Sequence, residues 1–65
     1  MNAQEIAART SLLQAAATLA SAKVALRRHH PNLAEWIDRE RGEIAWIVEQ
    51  LEIQAEQPAA AAEAK

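Results

Sequence analysis

Leu12, Leu19 and Leu26 recur every seven residues, and Ala8, Ala15 and Ala22 recur every seven between them. Residues seven apart lie on nearly the same side of an α-helix, so these six form a long narrow stripe suited to another helix. Alanine at alternate positions lets the facing backbone come close. The pattern predicts helix packed on helix, and the composition agrees. The chain has one Gly, two Pro and no Phe or Tyr, and Ala, Leu, Ile, Glu, Gln and Arg dominate it. These are helix formers. No alternating run of β-branched or aromatic residues signals a strand.

Sixty-five residues make at most one small domain, and a chain of that size buries too little apolar surface to stand without a staple. With no Cys, disulfides and thiolate metal sites are excluded; the redox compartment is not fixed, and a cytoplasmic location, which is the expectation, suits a cysteine-free chain as well as any other. Oligomerisation, or docking on a larger partner, is left. Charge is unevenly spread. Residues 1–30 carry Glu5 against Arg9, Lys23, Arg27 and Arg28. Residues 31–58 carry Glu35, Asp38, Glu40, Glu43, Glu49, Glu52 and Glu56 against Arg39 and Arg41. Opposite signs favour association of the two segments and argue against a uniformly basic nucleic-acid surface. The stretch from Arg9 through Leu12–Leu19 to Ala20-Ser21-Ala22 loosely mimics a secretory signal. Gln14 and Thr18 break its apolar run, Glu5 has the wrong sign, and the helix stripe accounts for the same residues better. No run is long enough to span a bilayer.

Asn2 followed by Glu5 reads as a capping box, with Met1 and Ile6 placed as a hydrophobic staple, so helix 1 is predicted to start near Ala3. It should run to about His29, because Pro31 disfavours helical geometry at His30. Arg27 and Arg28 then suit the negative end of the helix dipole. Asn32 and Glu35 repeat the box and place helix 2 from about Leu33 to residue 57, with Glu35 and Asp38 in or just past its first turn. A link of about four residues forces an antiparallel αα-hairpin over residues 1–57. Residues 58–65 read as an Ala-rich flexible tail.

Helix 1 is apolar over more than half its circumference. Beside the Leu/Ala stripe it carries a second edge of Ile6, Leu13, Ala17, Ala20 and Val24. One partner helix cannot cover that width. Helix 2 presents Leu33, Ile37, Ile44, Ile47, Val48 and Leu51, with Trp36 at the margin. An antiparallel turn near residue 31 sets Leu26 against Trp36 and Ile37, Leu19 against Ile44, Ala15 against Ile47, and Leu12 against Leu51. The fold class is therefore all-α: an antiparallel two-helix hairpin dimerising into a four-helix bundle. Its hairpin or dimer core is expected at Leu12, Leu13, Ala15, Leu19, Ala22, Leu26, Ile37, Ile44, Ile47, Val48 and Leu51.

Trp46 and Ile53 do not fit that core. They lie seven apart on the outer side of helix 2, with Gly42 and Gln50 beside them. Gly42 is costly inside a helix and leaves room for an indole or a partner backbone. Exposed Trp and Ile in register suggest a protein-binding strip, with Arg39, Glu49 and Gln50 as its rim. The strip equally suits the second hairpin of a dimer. Glu40 falls on the apolar face of helix 2 and is expected to pair with Lys23. Arg27, Arg28, His29 and His30 form a basic tip that reads as helix capping. Adjacent His residues point about 100° apart, which strains joint chelation, and no third ligand is evident. The remaining face of helix 1, Thr10, Ser11, Gln14, Thr18 and Ser21, is small and uncharged. No phosphate loop, nucleophile–base pair or zinc motif is present, so no enzyme, cofactor or metal is expected.

The length and the Leu/Ala hairpin resemble the Rop-type plasmid RNA modulators, dimeric four-helix bundles that read RNA through their first helices. That resemblance implies an RNA-binding alternative. Pro31, Trp36-Ile37, Ile44 and Leu51 are similar in spacing to the needle-subunit co-chaperones of type III secretion. In size and architecture the chain also resembles small phage-encoded inhibitors of host regulators, including quorum-sensing anti-activators. The latter two imply a non-enzymatic regulator, inhibitor or co-chaperone that binds itself and another protein.

Overall fold

Asn2 starts the first helix. Its side-chain oxygen accepts a hydrogen bond from the Glu5 N–H at 2.7 Å, and its own N–H donates to Glu5 Oε1 at 2.7 Å. Two of the N–H groups that a helix start leaves without partners are thereby satisfied reciprocally. The computed structural model describes residues 1–56 as two α-helices packed against each other, α1 (Ala3–Leu26) and α2 (Pro31–Glu56), with no strand among the described residues. The Ala-rich segment expected at 58–65 lies outside the described residues.

The connection is tighter than the sequence suggests. Helix α1 ends at Leu26, not near His29, and Arg27–His29 form a turn in which the His30 N–H donates to the Leu26 carbonyl at 2.7 Å. Helix α2 starts at Pro31, not Leu33, and its first backbone bond runs from the Ala34 N–H to the His30 carbonyl at 3.1 Å. The second capping box does not form. Proline has no N–H to satisfy and a φ already suited to the first helical turn, so it takes the first position and moves Asn32 inside the helix.

Both helices carry a strict alternation of three- and four-residue steps on their contact sides. On α1 Glu5, Arg9, Leu12, Ala16, Leu19, Lys23 and Leu26 hold these steps and are partly buried, with Ala20 and Ala22 partly buried beside them. On α2 the same steps fall on Ala34, Ile37, Arg41, Ile44, Val48, Leu51 and Ala55, of which Ala34 and Val48 are buried and the others partly buried. This is the spacing of knobs-into-holes packing. The small residues of the α1 seam are thus not Ala8 and Ala15, which are exposed, but Ala16. Leu13 and Ile47 also lie outside the seam of the single hairpin, at 45% and 44% exposure. Ala15 and Ile47, expected opposite each other, stand in solvent one step round from it.

Two ion pairs cross the seam and set its register. Arg9 Nε donates to Glu52 Oε2 at 2.9 Å, and Lys23 Nζ lies 2.8 Å from Asp38 Oδ2. The pairs are two heptads apart on both helices, so they report the same antiparallel register, one residue short of the one expected. That shift gives Lys23 to Asp38 rather than Glu40, which is exposed. Being half-exposed, such pairs contribute at most about 1 kcal/mol each and act chiefly on alignment.

Candidate interaction surface

The hairpin is a plate measuring 50 × 21 × 12 Å. Its least dimension is that of one helix, so it is a single layer. Among the described residues only Ala34 and Val48 are buried. Large apolar side chains stand in solvent on both helices, Ile6 and Val24 on α1 and Trp36 and Trp46 on α2 among them. No described helix is long and apolar enough to cross a membrane, and no group of three or more His, Cys, Asp or Glu among the described residues could hold a metal ion.

Helix geometry sorts the exposed residues. In an antiparallel pair, positions one step after the seam fall on the same side of the plate for both helices. Asp38 and Glu52 follow Ile37 and Leu51, and both are reached from α1 on that side. Leu13, Ala17, Ala20 and Val24 of α1 share it with Glu35, Gly42, Ala45 and Glu49 of α2. Positions one step before the seam form the other side, with Ala15 and Ala22 on α1 and Leu33, Trp36, Glu40, Glu43 and Ile47 on α2.

Of the residues singled out in the sequence, Arg39, Trp46 and Ile53 occupy the outer surface of α2, while Gly42, Glu49 and Gln50 flank it. Trp46 is 61% exposed and Ile53 45%. They lie opposite the seam in line with Arg39, Glu49 beside them is exposed, and Gln50 is half-buried. An ideal Cβ built on Gly42 meets nothing within 4 Å, so the glycine faces open space. The structure adds a feature the sequence reading missed. The Arg39 guanidinium lies 4.5 Å from the centre of the Trp36 ring, a cation–π contact between residues three apart on one helix. Glu43, Trp46 and Ile47 line an open hollow of about 280 Å³. The tryptophans thus bracket a helical surface whose one outward base is engaged and whose acids, Glu40, Glu43 and Glu49, are exposed. The three-residue spacing of Trp36 and Arg39 was the available sequence signal for that contact.

No family model, curated protein or solved structure matches the chain. What the surface does is argued from its own chemistry.

Proposed function

We propose that the chain is a non-enzymatic protein-binding module, acting as a regulator, inhibitor or co-chaperone of a partner protein in the cytoplasm, and that it works as a homodimer of hairpins in a four-helix bundle. The observation that carries this reading is the exposure of large apolar side chains on a plate one helix thick. Soluble domains place at least two layers around a core. Exposed Trp residues concentrate interface energy because they bury a large rigid area at little entropic cost. The outer surface of α2 supplies two of them, with Ile53 and the Glu43–Trp46–Ile47 hollow alongside.

The test uses Trp46→Ala. The native and variant chains are immobilised, proteins captured from the native cell extract are quantified by mass spectrometry, and the affinity of the captured protein is measured. Trp46→Ala should weaken that affinity by about 2 kcal/mol. Helicity and dimer mass should be retained, because Trp46 stands in solvent on the hairpin. Capture unaffected by the substitution would remove the α2 surface from the proposal. Capture of structured RNA with a steep salt dependence would favour the RNA-binding alternative instead.

A further inference from the structure

The acids of α2 fall into two sets. Asp38 and Glu52 are held by Lys23 and Arg9 of α1. Glu35, Glu40, Glu43 and Glu49 are exposed, and no ion pair among the described residues engages them. The bases of α2 do not offset this second set. Arg41 lies in the seam beside Asp38, and Arg39 stacks on Trp36. Arg39 stands one turn before Glu43, at a spacing that suits an ion pair, yet it lies on the ring instead. Glu43 therefore keeps a free carboxylate at the edge of the hollow it shares with Trp46 and Ile47. Helical side chains lean toward the N-terminus, so Trp46 and Ile47, three and four residues later, lean over Glu43. Trp46 is 61% exposed, and its neighbours three residues away on either side are Glu43 and Glu49. The two tryptophans thus differ in one respect. Trp36 has a cation 4.5 Å from its ring centre, whereas Trp46 has carboxylates beside it and no cation on its ring among the described residues.

We infer that the Glu43–Trp46–Ile47 hollow receives an arginine side chain of the partner protein, with its guanidinium on the Trp46 ring and paired with the Glu43 carboxylate. The inference rests on the protein-binding reading above and states the chemistry of what binds. An indole face attracts a cation through its quadrupole, more strongly than other aromatic side chains do. A planar guanidinium both stacks on the ring and donates two parallel hydrogen bonds to one carboxylate, which a lysine ammonium does not. Ile47 gives the aliphatic stem of the arginine an apolar wall. Glu40 and Glu49, before and after the hollow along α2, attract a segment that carries further bases and repel an acidic one. The chain does not fill the hollow from its own tip. By the register of the two ion pairs, Arg27 stands level with Ala34, about 14 Å along the axis from Glu43. The arginine therefore comes from another molecule.

The experiment follows the two indole N–H resonances of the full chain by NMR. The probe is the capped peptide acetyl-Leu-Arg-Ala-Leu-Arg-amide, and the control is the same peptide with citrulline, a neutral planar isostere, in place of arginine. The arginine peptide should shift the Trp46 resonance saturably and the Trp36 resonance, whose ring Arg39 already covers, far less. The citrulline peptide should shift Trp46 far less at equal concentration. Glu43→Gln, at an exposed position, should keep helicity and weaken the arginine peptide about threefold. Equal shifts from both peptides, equal shifts of both indoles, or unchanged affinity in Glu43→Gln would overturn the inference. So would loss of self-association in that variant, which assigns the hollow to a second copy. The protein-binding reading has its own readout, the effect of Trp46→Ala on the captured partner. If Trp46→Ala weakens capture while the arginine peptide binds no better than the citrulline one, that reading stands and the arginine falls. If Trp46→Ala leaves capture unchanged, the reading falls and takes the partner's arginine with it.

Discussion

Arg41 holds a seam position that a regular heptad gives to an apolar residue. Its Nε is buried without a hydrogen-bond partner, and its nearest carboxylate contact, Asp38 Oδ1, is 3.7 Å away. That is too long for a hydrogen bond, and Asp38 is more closely held by Lys23 at 2.8 Å. A partly desolvated guanidinium with incomplete partners costs more than its attraction returns, so an apolar side chain of similar length fits the site better. Arg41→Met should raise unfolding stability by about 1 kcal/mol, read from urea denaturation at fixed protein concentration. A loss of stability would show that the Arg41–Asp38 contact supports the Lys23 pair. Arg41, Arg9 and Lys23 are also why the seam was only partly legible. These and Glu5 put charged residues at four heptad positions and hid the true stripe, and seven-residue spacing alone did not tell Ala15 from Ala16. The matched spacing of Arg9 and Lys23 with Glu52 and Asp38 was the signal that fixes the register.

At the scale of the helices, start signals were read unevenly for a physical reason. Asn2 and Glu5 form their reciprocal bonds because the residue before Asn2 is Met1, which does not claim the first helical position as a proline does. Asn32 and Glu35 have the same spacing but follow Pro31, whose fixed φ claims the first helical position. The proline therefore outweighed the capping pattern, and the turn closed early. The difference makes the N-terminal cap of α1 individually testable. Asn2→Ala should cost about 1 kcal/mol of stability and lower helicity at the start of α1, measured by amide hydrogen exchange over the first turn. Asn32→Ala should change stability far less, since Asn32 is exposed inside the first turn and caps nothing. The existence of two helices and the outward position of Trp46 followed from apolar spacing, and their antiparallel course from the shortness of the link. The Trp36–Arg39 stack did not, because it depends on rotamers.

For the whole molecule the governing fact is the 12 Å thickness. A layer one helix thick has two broad sides and almost no interior, and the proposed dimer would supply the missing cover. Folding linked to association makes the unfolding midpoint depend on concentration. The thermal midpoint of the chain should therefore rise steadily across a hundredfold increase in protein concentration, followed by circular dichroism. A constant midpoint would mean that the hairpin is stable by itself.

The register has a practical corollary. Because Arg9 lies beside Glu52 and Lys23 beside Asp38, Met1 and Glu56 sit at the same short edge of the plate, and the turn at Arg27–His30 occupies the other. A fluorophore or carrier attached at residue 1 is therefore remote from the basic tip, and a probe placed at His29 is remote from the start of α1 and the end of α2. Distances measured between two such labels report separation along the length of the plate, and mixing singly labelled chains distinguishes a head-to-tail arrangement of two plates from a head-to-head one without altering either broad side.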